Sequence, residues 1–88
     1  MDAYKVVTAR SFEKDLRKLP DDVLKRVLTR IKLLADEPYP DGVRKLEGED
    51  NLYRLRVGDF RVIYSVNKKE KVIDLIYVRN RKDAYKGR

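Results

Sequence analysis

The sequence predicts an α+β domain in which a small antiparallel β-sheet packs on an N-terminal helical hairpin, in the order β-α-α-β-β-β. Three observations carry this. Apolar residues recur at helical spacing between Phe12 and Ala35, and from Leu52 onward the period changes to two. Between two alternating runs lies Gly58-Asp59, the spacing of a two-residue hairpin turn with Gly at its first central position. With 88 residues, the chain forms one domain, 1–88, without repeats or a separating linker. Folding at this size buries only about 60 to 65% of the unfolded surface, so a single economical core is expected.

The first strand is read in "AYKVVTA" (3–9), with Tyr4, Val6 and Thr8 on one side and Lys5 and Val7 on the other. Ser11 is placed to cap a short helix with Glu13 in its first turn, and Phe12, Leu16 and Leu19 fall on one face. Pro20 ends that helix and suits the start of a second one running to about Asp36. Val23, Val27, Ile31 and Leu34, flanked by Leu24, Leu28 and Ala35, give the second helix a broad apolar stripe. The short turn between the helices favours an antiparallel hairpin. "EPYPDG" (37–42) is a loop, and strands follow at about 52–57, 60–66 and 72–78.

The hairpin turn fixes a register in which Val57 faces Phe60, Leu55 faces Val62 and Tyr53 faces Tyr64. Those six residues share one face, apolar except for two phenolic hydroxyls, against which the helices must pack. The other face receives Arg54, Arg56, Arg61 and Ile63, with Arg56 directly opposite Arg61. Like charges paired across strands destabilise a sheet, and nothing acidic in these two strands relieves them. A solvated second face is the plain alternative. Three converging arginines, whose guanidinium forks match phosphate bidentately, point instead to a bound anion. On the last strand, Ile73, Leu75 and Tyr77 are expected on the core side and Val72, Asp74 and Ile76 on the open side. Asp74 either orients an open-face arginine or is simply solvated.

Composition restricts the chemistry. The absence of cysteine and histidine excludes disulfides, the usual zinc ligand sets, thiol nucleophiles and imidazole bases. A formal charge of +7, from 22 basic and 15 acidic residues, favours a polyanionic partner. No apolar run reaches the ~20 residues that span a bilayer, and "MDAYKVVTARSF" lacks the apolar segment of a signal peptide, so a soluble cytoplasmic protein without membrane association is expected.

Nearly the whole chain resembles the RelE/ParE superfamily of prokaryotic toxins, and especially its RelE-type mRNA endonucleases. The resemblance runs through "SFEKDLRKLP", "KLEGEDNLYRLRVGDFRVIYSV" and "VRNRKDAY". Its most specific part is the family core "KLxG…YRxRxGxYRxxY", matched by Lys45, Leu46, Gly48, Tyr53, Arg54, Arg56, Gly58, Phe60, Arg61 and Tyr64, with Phe60 replacing the commoner tyrosine.

The resemblance implies a RelE-like fold and cleavage of mRNA in the ribosomal A site, by attack of a 2′-hydroxyl on the adjacent phosphate. It also implies inhibition by a cognate RelB-like antitoxin, with the free toxin monomeric. Carried over by position, Arg56, Arg61, Arg81 and Tyr85 become catalytic residues. Arg54, Arg79, Lys45 and Lys82 become RNA contacts. No metal or cofactor is expected, because arginines supply the electrophile. The family often has His-Arg before the tyrosine, whereas Asn80 stands here, which removes an acid/base role at that position. Tyr85 is then either a base or stacking group, its phenol acidified by neighbouring arginines, or an anchor for the tail. Two rival readings share the sequence: a non-enzymatic ParE-type toxin acting on DNA gyrase, and a plain RNA-binding module.

Overall fold

A computed structural model describes residues 3–80 apart from 47, 49 and 50. The elements are β1 (Lys5–Thr8), α1 (Arg10–Leu16), α2 (Asp21–Leu34), β2 (Arg44–Lys45), β3 (Leu52–Val57), β4 (Phe60–Asn67) and β5 (Val72–Asn80). They form one five-stranded sheet in the order β1-β5-β4-β3-β2. The α+β class and the order of the long elements are as the sequence predicts, with β2 as a short addition at the edge. The sheet is mixed rather than wholly antiparallel, because β1 runs parallel to β5. Residues 9–71 separate these two strands, so no hairpin dictates their direction, and the intervening helices supply the crossover that a parallel pair needs.

The β3–β4 register is the predicted one, from Val57↔Phe60 through Leu55↔Val62 to Tyr53↔Tyr64. Gly58 has φ +60°, the left-handed conformation that the first central position of this turn demands and that glycine adopts without a Cβ penalty.

On the sheet's inner face, α1 packs over β5 and α2 over β3. Phe12, Val27, Ile31 and Leu34 from the helices meet Leu55, Val62, Tyr64 and Leu75 in one buried cluster. The stripe on α2 is narrower than the sequence suggests, since Leu28 is exposed. That helix stops at Leu34, short of Asp36, where the backbone N–H of Tyr4 donates to the carbonyl of Ala35 (2.8 Å). A contact from the residue just before β1 thus satisfies a terminal carbonyl that further helix would have used.

Ser11 does not cap α1. Ala9 holds the N-cap position, and the Ser11 hydroxyl donates to the carbonyl of Ile76 (2.6 Å).

Tyr64 is fully buried and its hydroxyl donates to the carbonyl of Pro38 (2.7 Å). Tyr53 stacks on it at 5.9 Å, and Tyr39 meets Tyr53 edge-on at 5.1 Å. The cluster ties the 37–42 loop to the sheet. Burial, followed by the neighbouring phenols, raises the Tyr64 hydroxyl well above its usual range, and burial with Tyr53 pushes Tyr39 up to about 12. In the unfolded chain these phenols ionise near pH 10. The folded state therefore keeps protons that the unfolded state releases, so stability is full below about pH 10 and falls as pH rises above it. Tyr64→Phe keeps the ring but strands the Pro38 carbonyl. It should cost about 1 kcal/mol at neutral pH and flatten the alkaline loss, both readable from urea midpoints across pH.

Candidate nucleic-acid interface

The face of the sheet away from the helices is organised by two cross-strand rows. In the first, Arg56 on β3 stands opposite Arg61 on β4, which stands opposite Arg79 on β5. In the second, Arg54, Ile63 and Tyr77 are aligned in the same way, with Arg44 of β2 beyond Arg54. The period of two on β3 and β4 places Arg54, Arg56 and Arg61 on this side because Leu55, Val57 and Val62 must lie on the other.

The last strand departs from its predicted alternation. A bulge falls between the pairs Ile63↔Tyr77 and Tyr64↔Leu75, leaving Ile76 as the extra residue. Ile73 and Leu75 face the core as expected. Past the bulge the faces exchange: Tyr77 turns to the open side beside Ile63, and Val78 is buried opposite Val62. This exchange is what brings Arg79 into line with Arg61.

The bulge coincides with the end of β1, whose last pair is Thr8↔Leu75. Beyond it, α1 covers the edge of β5 with side chains instead of a strand. Ser11 caps the Ile76 carbonyl, and the Asp15 carboxylate accepts the N–H of Val78 (3.0 Å). The same carboxylate oxygen lies 3.7 Å from Nε of Arg79, whose guanidinium sits 4.5 Å from the centre of the Tyr77 ring. Asp15 offsets Arg79 only in part, since an ion pair whose arginine is 46% exposed contributes little in water. Three aligned arginines remain a strongly positive surface whose geometry suits the non-bridging oxygens of a phosphodiester.

The structure therefore brings together Arg54, Arg56, Arg61 and Arg79. It does not bring Lys45 to them, because Lys45 pairs with Tyr53 and so shares the helix-side face at the sheet's margin. Asp74 is exposed and has Ser65 and Val7 as strand neighbours, so it orients no arginine across the ladder. Arg81, Lys82 and Tyr85 lie outside the described residues. Tyr77 and Asp15 escaped the sequence reading. A bulge leaves no mark in the alternation of "VIDLIYV", and Asp15 in "FEKDLRKLP" is indistinguishable from a solvated helix residue.

Asp15→Ala should cost about 1–3 kcal/mol by leaving the Val78 N–H without its acceptor, whereas Asp15→Asn, which can still accept, should cost clearly less. Urea unfolding of the two variants separates hydrogen bonding from charge.

Residues 6–85 match the model of the ParE toxin family of type II toxin–antitoxin systems, parDE. RelE1 of Methanocaldococcus jannaschii is 37% identical over 77 residues, covering 84% of this chain and 86% of that protein. Toxin RelE3 of the same organism is 35% identical over 71 residues, covering 72% of this chain and 76% of its own. Among solved structures, a chain of the archaeal RelE–RelB complex from Pyrococcus horikoshii OT3 superposes with a TM-score of 0.81 at 42% identity, covering 90% of this chain and 96% of that one. A chain of the RelB–RelE antitoxin–toxin complex from Methanococcus jannaschii gives 0.79 at 28% identity, covering 92% and 96%.

Proposed function

The chain belongs to the RelE/ParE family of toxins of type II toxin–antitoxin systems, and from that membership we propose that it is a metal-independent endoribonuclease cleaving mRNA in the ribosomal A site. The observation that carries this reading is the row Arg56–Arg61–Arg79 across three adjacent strands. In the reaction, the 2′-oxygen forms a bond to the adjacent phosphorus as the bond from phosphorus to the 5′-oxygen breaks. The 2′-proton passes to a base and the departing oxygen gains a proton. Negative charge accumulates on the phosphorane, where fixed guanidiniums stabilise the transition state more than the ground state.

Arg61, at the centre of the row, is assigned to the phosphorane, with Arg56 beside it. Arg54 and Arg79 hold flanking RNA, Lys82 is assigned an RNA contact by its position in the family motif, and Lys45, on the other face, is left out of the site. The family motif assigns Arg81 and Tyr85 to the same site. With no histidine in the chain, proton transfer rests on weak groups, and the ribosome's positioning of its mRNA supplies much of the rate. A RelB-like antitoxin is the inhibitory partner, supported by the RelE–RelB complexes among the structural relatives.

The ParE description of the matching family model favours a second reading, a toxin acting on DNA gyrase. Primer extension on translating ribosomes decides between them: new codon-specific stops are expected on adding the protein. Their absence together with inhibition of gyrase supercoiling would give the second reading instead.

A further inference from the structure

A second concentration of charge lies around the edge of the sheet from the arginine row. There, Arg30, Arg44, Arg54 and Arg56 line an open cleft of about 370 Å³, with Asp41 the one carboxylate among the described lining residues. These four arginines come from α2, β2 and β3, so they are not the solvated stripe of a single element. β2 pairs with β3 only at Arg44↔Arg54 and Lys45↔Tyr53, and among the described residues β3 has no outer neighbour past Arg54. Since the N–H of Leu46 donates to the Leu52 carbonyl (2.9 Å) on the outer edge of β3, alternation along the strand points the N–H and C=O of Arg56 toward the same outer edge.

We propose that this cleft is a second phosphate site on the path of the bound RNA. The strand held by Arg56, Arg61 and Arg79 crosses the free edge of β3, and its next backbone phosphates are held by Arg30 and Arg44. The inference rests on the reading of the open face as an RNA site and adds two residues and a direction to it.

Arg56 belongs both to the open-face row and to the cleft, so one continuous polyanion can touch both. Arg30, Arg44 and Arg56 bring like charge from three elements to one cleft, and phosphate offers them both opposite charge and bidentate acceptors. Among the described residues, Leu55 is the sole apolar side chain in the lining. A protein partner would lack the apolar anchor that usually carries such an interface, whereas a nucleic-acid backbone needs none.

The test uses the full chain and single-stranded RNA oligonucleotides of about 3 and about 8 nucleotides, made uncleavable by 2′-O-methyl groups at every position, with binding followed by anisotropy across a salt series. Each phosphate contact contributes a slope of about −0.7 in log K against log salt for single strands. In the double variant Arg30→Gln/Arg44→Gln, the longer oligonucleotide should bind about 10-fold more weakly, and its salt slope should become shallower by about 1.4. The shorter one should lose much less. Arg30→Lys/Arg44→Lys keeps the charges and should retain the slope while losing affinity with the forks; it also serves should the Gln variant fail to fold.

Wild-type binding and slope in a folded Gln variant would overturn the proposal. So would a variant that loses affinity only for a glutamate-rich peptide, which would make the occupant an acidic protein segment. Because the readout needs neither ribosome nor cleavage, failure of the endonuclease reading in primer extension is recorded separately.

Discussion

Arg61→Ala should abolish growth inhibition and lower the single-turnover rate of ribosome-bound mRNA cleavage by about 10² to 10³-fold, the scale of one lost electrostatic donor. Thermal stability should change far less than on truncating a core residue, because the half-buried side chain lies on the face of the sheet away from the apolar cluster. Arg61→Lys refines the test. It keeps the charge but loses the planar fork, so intermediate activity is expected if bidentate recognition of phosphate matters. A large loss of stability on Arg61→Ala would mark the residue as structural and leave the phosphate without its central ligand.

Leu55→Ala should have the opposite signature. Leu55 is 1% exposed, on the strand between Arg54 and Arg56 but on the other face. Truncation removes apolar surface and leaves a cavity between β3 and the helices, at a cost of about 2–5 kcal/mol. A domain of this size has about 5–15 kcal/mol in total, so the melting temperature should fall by about 10 °C or more. Activity lost in this variant should return on cooling, because the arginines are untouched. Arg61→Ala should show no such rescue. Scanning calorimetry paired with the cleavage assay separates the two faces of one sheet.

The contrast follows from the period of two, and that is why much of the site was legible without a structure. The Gly58-Asp59 turn set the β3–β4 register, and the register set which residues face each other. Arg54, Arg56 and Arg61 then had to lie opposite the apolar set. Family resemblance added Arg79 by position but gave no physical reason for its place. The helices were legible by their apolar spacing, although the stripe on α2 was read too broadly, because periodicity says which residues can be buried and not how much surface the sheet can cover.

What local pattern could not supply are the long-range encounters. The direction of β1 against β5, the turnover of faces at Ile76, the use of Ser11 and Asp15 to cap an uncovered strand edge, and the meeting of Arg30 with Arg44 all join residues distant in sequence. A hairpin register and an amphipathic face are decided by neighbours a few residues away, so the sequence alone determined the β3–β4 pairing, its charged face and the absence of thiol and imidazole chemistry. Bulges, parallel pairings and side-chain caps arise where unpaired backbone groups at an edge must find partners, and that need exists only once the sheet is assembled, so tertiary structure alone decided that Arg79 completes the row.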